Sequence, residues 1–142
     1  MAFMFYGSKF NQNIGNWDTH SVSDMHFMFM NSSFNQGIGG WNVGNVVNMS
    51  SMFMNSKFNS PLYKWSVEKV KHMGSMFANS KFDQDISDWN IESLEDLYGL
   101  FCESEFKHSI GNWVLRRPDI EWDRYIRPDL LYNFGRKWIE YC

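Results

Sequence analysis

The sequence lacks any run of roughly 20 apolar residues of the kind that crosses a membrane as a helix. Its N-terminus also lacks the basic region and continuous apolar run of a signal peptide. These absences predict a soluble chain in the cytoplasm or within a virion or other assembly, rather than a secreted one. Only two cysteines occur, Cys102 and Cys142. Two unpatterned thiols fit neither a disulfide scaffold nor a zinc site, and they favour a reducing compartment.

Charge is also scarce. The formal net charge is -3, which is too small to imply a polyanionic or polycationic partner. Residues 1–113 contain no arginine, and their 7 lysines against 11 acidic residues leave this part acidic. A nucleic-acid surface normally carries clustered basic side chains, so we predict no nucleic-acid partner. All five arginines lie further on: Arg116, Arg117, Arg124, Arg127 and Arg136.

What the sequence has in abundance is repetition. Methionine or leucine opens each unit, a Phe follows four residues later, and a Ser-x-Phe pair and an aliphatic residue come before each tryptophan. A fixed period of this length is typical of stacked repeats that share one core. The period of 24 residues is clearest in the tryptophans: Trp17, Trp41, Trp65, Trp89 and Trp113.

Two local structures are predicted within each unit. The pattern aliphatic-x-x-Trp-x-aliphatic-x-x-aliphatic is close to the opening of a leucine-rich repeat, and its Trp-x-Val part predicts a short strand with both side chains pointing inward. The spacing of Val22, Met25, Met28 and Phe29 predicts one face of a helix of two or three turns. We expect that helix to end at residues that tolerate the left-handed conformation: Gly7, Asn31, Asn55 and Asn79.

Residues 52–59, Met-Phe-Met-Asn-Ser-Lys-Phe-Asn, and residues 76–91 carry these signatures most clearly. They resemble the BspA-like repeat of bacterial surface proteins, which has units of about this length with Met-Phe, Ser-x-Phe-Asn-Gln and Ile-x-x-Trp-x-Val signatures. The resemblance covers residues 1 to about 117. It implies a right-handed solenoid used for binding or assembly, with no catalytic residues to carry over. The chain departs from that family in lacking an export signal and in having few units.

Together these patterns predict an α/β fold. We expect a right-handed leucine-rich-repeat-like solenoid of about five 24-residue strand-helix units over residues 1–117. The register breaks at Pro118, and two Pro-Asp segments that begin at Pro118 and Pro128 are typical of helix starts. Residues 118–142 are therefore predicted to form a helical C-terminal cap, with a docking segment for a partner as the alternative.

Chemistry-bearing motifs are missing. No nucleophile elbow, P-loop or dinucleotide fingerprint occurs, so we predict no catalytic residue, no cofactor and no enzymatic activity. The Asp83-x-Asp85 pair lacks the rest of a calcium loop and is weak evidence for a cation. Residues at the same position of successive 24-residue units are called a column here. No metal site is predicted, because the four histidines lie in four different columns: His20, His26, His72 and His108.

The variable positions beside the tryptophans define a candidate protein-binding face, although an unselected solvated face would look the same. Its acidic bias suggests a basic partner. The residues of this face are Asn16, Asp18, Asn42, Lys64, Ser66, Glu68, Asp88, Asn90, Glu92 and Asn112.

The first unit opens without a polar cap, which solenoid ends normally need. We predict a candidate end-interface at Met1, Phe3, Met4 and Phe5, with a frayed cap as the alternative. The predicted function is a non-enzymatic repeat scaffold for protein–protein binding or assembly, including self-association through this end. The alternatives are a minor structural component of a larger assembly, such as a large DNA virus particle, and a fragment of a cell-surface adhesin.

Overall fold

The structure is a computed structural model, and it describes residues 1–114. Within that range there is no helix and no strand. The predicted α/β, leucine-rich-repeat-like solenoid of strand-helix units is therefore wrong. The predicted cap at 118–142 and its boundary with the repeats lie outside the described residues. Regular pairing within residues 1–114 is limited to isolated parallel bridges: Asp24 with Asn48, Asn48 with His72, and His72 with Asp96.

Successive 24-residue units form a stack of coils, numbered here as coil 1 (1–24), coil 2 (25–48), coil 3 (49–72), coil 4 (73–96) and the described part of coil 5 (97–114). Main-chain hydrogen bonds join each coil to the next. In coil 2, four alternate N–H groups donate to carbonyl oxygens 23 residues later, at 2.9 to 3.1 Å. These donors and acceptors are Met25 and Asn48, Phe27 and Ser50, Phe29 and Met52, and Asn31 and Met54.

The intervening residues explain why the predicted helix is wrong. The N–H groups of Met28, Met30 and Ser32 donate to carbonyls three residues earlier, at 3.1 to 3.3 Å. An α-helix needs every N–H to donate four residues back. Here one set of N–H groups closes a turn over 26–31 and the other set binds the next coil. The same apolar spacing therefore buries a long turn.

Two residues in each long turn adopt the left-handed conformation. The Gly and Asn column predicted to do so is confirmed, with φ of 64°, 57°, 54° and 50° in coils 1 to 4. A second position was not predicted, and it includes Phe27 at φ 55° and Ser51 at φ 53°. Such angles are uncommon for residues other than glycine and carry strain. Both positions donate an N–H to the neighbouring coil, which holds the strained turn in place.

Polar columns fix the ends of the long turn. Asp24, Asn48 and Asp96 each accept, on a side-chain oxygen, the N–H two residues later at 3.0 Å. Asparagine and aspartate favour this local bond, which initiates a turn. Further along, the side-chain oxygen of Asn35 accepts the N–H of Asn59 in the next coil at 2.8 Å. The Asn of the Phe-Asn-Gln signature thus links coils.

Aromatic columns form the core between the turns. Phe29 and Phe34 stack within coil 2 at 4.2 Å between ring centroids, and Phe29 stacks on Phe53 of coil 3 at 5.6 Å. Phe29 and Phe34 are fully buried, as are the methionines that open the turns of coils 2 to 4. Trp41 and Val43 are also buried, as predicted, but their segment pairs with no other strand. The predicted Trp-x-Val strand is therefore wrong while its inward direction is confirmed.

Each interior indole reaches back to the preceding coil. The Nε1–H of Trp41 donates to the carbonyl oxygen of Ile14 at 2.9 Å, and that of Trp65 donates to Ile38 at 3.0 Å. Trp89 and Trp113 make the equivalent bonds. A buried indole normally needs such a partner. The tryptophan column therefore carries both packing and hydrogen bonding across the coils.

Cys102 departs from expectation. It lies half-buried at the end of the long turn of coil 5, where its N–H donates to the carbonyl oxygen of Gly99 at 3.0 Å. Its sulfur is disulfide-bonded. This bond disagrees with the reducing compartment that the two cysteines favoured in the sequence.

The indole bond can be tested by replacing Trp65 with Phe. The variant loses the donor to the buried carbonyl of Ile38 and leaves a void, so the free energy of unfolding should fall by about 1–3 kcal/mol. Urea unfolding of both proteins measures the difference. Trp17→Phe is the matched control, because Trp17 is partly exposed and makes no equivalent bond within residues 1–114. Equal losses in the two variants would contradict the assigned role of the bond.

Candidate interaction surfaces

The predicted binding face lies on the surface, beside the tryptophan column. Nine of its ten residues are exposed, and Glu92 is half-buried. Three of them also build local turns: the side chains of Asp18, Asn42 and Asn90 each accept the N–H two residues later at 3.1 Å. These positions therefore have a structural reason to be Asp or Asn. Binding by this face stays a prediction.

One cluster on this face was missed in the sequence. His20 Nδ1 lies 2.7 Å from the carboxylate of Asp18, and its Nε2 lies 2.9 Å from the hydroxyl of Ser21. The order carboxylate, imidazole, hydroxyl is that of a hydrolytic triad, which is recognised by geometry rather than by sequence position. The signal in the sequence was the short spacing Asp-x-His-Ser at positions 18 to 21.

The surroundings of this cluster differ from those of a hydrolase. A triad carboxylate is buried, and the site supplies N–H donors to the developing oxyanion. Here the side chains of Asp18 and His20 are 76% and 63% exposed. The hydrogen bonds from the His20 side chain and backbone lower the pKa of Asp18. Solvated in this way, the three residues form a surface hydrogen-bond chain that closes a turn.

The acidic pair Asp83 and Asp85 does not converge on a common cation site. Asp83 pairs with Lys107 at 3.3 Å, and its main-chain oxygen contacts His108 at 3.1 Å. Asp85 instead accepts the N–H of Ser87 at 2.9 Å. Throughout residues 1–114, no three His, Cys, Asp or Glu side chains group in a way that could hold a metal ion.

A pocket of about 380 Å³ lies between coils 3 and 4. Coil 3 contributes Pro61 and Tyr63 to its lining, and coil 4 contributes Asp85, Asp88 and Trp89. Asp88 belongs to the predicted face, so the structure places one of those residues in a concave site. The signal for the pocket was Tyr63, which occupies a column that holds glycine or serine in every other coil.

The predicted end-interface forms the upstream face of coil 1, defined here as the side of the stack turned away from coil 2. Phe3 and Met4 are exposed there, while Met1 and Phe5 are half-buried. Tyr6 and Trp17, which were not predicted, are also exposed on coil 1. These six aromatic or apolar side chains of coil 1 are thus less buried than the equivalents that have a coil on both sides.

With this geometry in place, comparison with known proteins gives a family. Residues 1–113 match the family described as Mycoplasma protein of unknown function, DUF285. The chain belongs to the DUF285 family. This is a mycoplasma repeat family related to BspA-like surface repeats, which confirms the predicted resemblance at that coarser level. No curated protein and no solved structure matches the chain.

The DUF285 region contains no helix that could span a membrane, within the residues that the structure describes.

The surface triad of this DUF285 chain gives a direct test of the predicted absence of catalysis. Hydrolysis of p-nitrophenyl acetate by the wild type should equal that of Ser21→Ala within error, because the side chains of Asp18 and His20 are solvated. Release of nitrophenolate at pH 7 to 8 measures both rates, with free imidazole as the reference. A tenfold loss on removing the hydroxyl would show that Ser21 acts as a nucleophile.

Acid should weaken the coil 1–coil 2 junction through Asp24. Partial burial raises the pKa of this carboxyl, but the backbone and side-chain hydrogen bonds from His26 outweigh it, so its pKa is lowered on folding. A lowered folded-state pKa contributes stability above the ordinary value of about 3.9 that is lost as the pH falls through the folded value.

Between pH 5 and pH 2.5, wild type should therefore lose more free energy of unfolding than Asp24→Asn does. Asn48 makes the same turn bond in coil 2, so the variant retains the local fold. Urea unfolding across this range measures the two curves. Parallel curves would contradict the contribution of Asp24.

Proposed function

We propose that this chain is a non-enzymatic repeat scaffold that binds another protein through the upstream face of coil 1. The single observation that carries the proposal is the contrast in burial along the columns. Met4 is 50% exposed, whereas Met28, Met52 and Met76 are fully buried. Trp17 is 39% exposed, whereas Trp41 is 3% exposed.

The exposed and half-buried aromatic side chains of this face lie in two pairs, which together are called the patch here. Phe3 lies 6.1 Å from Tyr6 between ring centroids, and Phe5 lies 5.9 Å from Trp17. Exposed apolar surface can mark a site of protein interaction, since its burial is favourable. In the interior coils, the equivalents of Met4, Phe5 and Trp17 are buried between neighbouring sets of Met, Phe and Trp side chains. The patch is thus shaped for a partner with a similar apolar layer.

The main chain of coil 1 adds carbonyl acceptors to this face. In coil 2, the carbonyl oxygens of His26, Met28 and Met30 accept N–H groups of coil 1. The equivalent carbonyls in coil 1 are those of Ala2, Met4 and Tyr6, and they accept no hydrogen bond within residues 1–114. Two copies meeting through this face would set acceptors against acceptors. The better complement is a coil of the same repeat type that presents its N–H donors.

We further propose that the repeats are of the BspA-like type itself, and not only of a related family. Each signature residue has a role that the repeat requires: the Phe stacks on its neighbours, the Ser hydroxyl accepts the N–H of the Phe two residues later, and the Asn links coils. For Ser56 and Phe58 this bond is 3.3 Å long. These roles support an array whose function lies in surface contacts rather than in chemistry.

The interface can be tested by placing a photo-crosslinking phenylalanine analogue at position 4 of the full chain in its native source. We expect one adduct, identified by mass spectrometry as a protein with the same repeat. A charge at the centre of the patch should abolish it, so Phe3→Asp added to the labelled chain should remove the adduct. The same label at Tyr98, an exposed residue of coil 5, is the matched control.

Circular dichroism of Phe3→Asp checks that the stack remains folded. An adduct that forms equally from positions 4 and 98, or none from position 4 in a chain that sediments as a monomer, would contradict the proposal.

A further inference from the structure

The pocket between coils 3 and 4 arises where the repeat is broken. The column of Tyr63 contains Gly15, Gly39, Ser87 and Gly111 in the other coils. At Gly15 and Gly39, an added Cβ would lie 2.6 and 2.7 Å from a carbonyl oxygen of the next coil, so no side chain fits there. Coil 3 accommodates a tyrosine at this position, and its side chain is 60% exposed.

An exposed aromatic ring in this column has no role in the core. The fully buried Phe and Trp columns already fill the interior between coils 3 and 4. Tyr63 instead forms one wall of the pocket, together with Pro61 and the buried Trp89. Its presence at a break in the repeat is the first sign of a surface built for a ligand.

The lining of the pocket is also acidic. Asp85 and Asp88 both line the pocket, and no Lys, Arg or His of residues 1–114 does. The backbone and side-chain hydrogen bonds from Ser87 lower the pKa of Asp85, so this carboxyl is ionised at neutral pH. The pocket therefore combines two carboxyl side chains with an aromatic ring. The polar part of the lining is completed by Gln84, whose amide N–H donates to Asn59 at 3.0 Å. Two carboxylates without a lining cation favour a positively charged ligand.

The face of Tyr63 already attracts a positive charge within the chain. The Nζ atom of Lys64 lies 5.8 Å from the centroid of the Tyr63 ring. This distance is within the range of a cation–π contact. Lys64 is exposed and is not among the residues that line the pocket, so the pocket itself holds no lysine of the described chain.

We propose that this pocket binds an arginine side chain of a partner protein. A guanidinium is planar, stacks on aromatic faces and binds carboxylates in a bidentate manner, whereas a lysine ammonium is a strongly hydrated point charge. The volume of about 380 Å³ is at the small end for ligand pockets, as expected for one side chain rather than a large cofactor. The site is separate from coil 1 and does not depend on the function proposed for that face.

The probe is the tripeptide acetyl-Gly-Arg-Gly-amide, compared with its citrulline analogue, which has nearly the same shape without the charge. Titration is followed by the NMR shift of the Trp89 indole N–H, with the Trp41 indole as a reference in the same spectrum. We expect saturable binding with a dissociation constant of about 1 mM, a value typical of a weak single-group contact. The citrulline peptide should cause no saturable shift.

Three variants locate the site. Tyr63→Gly restores the residue of the other coils and should weaken arginine binding about fivefold, as expected for loss of a cation–π contact. Asp85→Asn preserves the acceptor for the Ser87 N–H and, like Asp88→Asn, should weaken binding by at least as much. Tyr98→Gly removes another exposed tyrosine outside the pocket and should change nothing. Thermal unfolding of each variant checks that the stack is intact.

Equal binding of the citrulline peptide, tighter binding of the corresponding lysine peptide, or equal affinity in Tyr63→Gly and Tyr98→Gly would overturn the proposal. Each of these results leaves the crosslinking test of coil 1 unaffected, so the two proposals fail independently.

Discussion

The structure depends on hydrogen bonds that leave one coil and end in the next. Within a long turn, alternate N–H groups have no partner in their own coil and donate to carbonyls 23 residues later. A single coil could satisfy neither these groups nor its apolar side chains. The left-handed residues, Phe27 and Asn31 in coil 2, are strained and also donate across the coils. Local conformation is therefore a consequence of stacking, and each coil is stable only between neighbours.

Side-chain contacts also join each coil to the next. The amide of Asn55 donates to that of Asn31 at 3.0 Å, and the amide of Asn79 donates to that of Asn55 at 2.8 Å. On the surface, Lys71 pairs with Glu95 in the next coil at 2.9 Å. Such exposed pairs contribute little individually. All of them nevertheless join residues 24 positions apart, so the polar contacts favour the same alignment of neighbouring coils as the apolar columns do.

The period, the buried columns and the left-handed Asn column could be predicted, because each follows from residue identity at fixed spacing. The helix could not be distinguished from a turn, because the positions of Met25, Met28 and Phe29 satisfy both. What separates them is the destination of the backbone N–H groups, which depends on the neighbouring coil. The left-handed conformation of Phe27 could not be predicted from the sequence, because a phenylalanine side chain does not favour it.

Some features of the surface could likewise be predicted from the sequence, and others could not. The exposure of Met4 could be predicted from its column, because that column contains Met or Leu in every coil, whereas the column of Phe3 contains Ser51, Ser75 and Gly99 further along the chain. The pocket required the backbone, although Tyr63 in a glycine column was a visible exception. The cluster of Asp18, His20 and Ser21 lies within four residues, yet its geometry depends on the turn that the stack imposes. Each of these surface features lies where a residue differs from the others of its column in identity, burial or contacts.

Every contact between coils joins residues that are about 24 positions apart, including the indole bonds that span 27. Losing or gaining one residue inside a coil would put every later column out of phase with the preceding ones. Losing or gaining a whole coil keeps all columns aligned and merely shortens or lengthens the stack. Unequal recombination between the repeats in the gene can thus change the reach of this protein in whole-coil steps, while leaving the structure of the remaining coils intact.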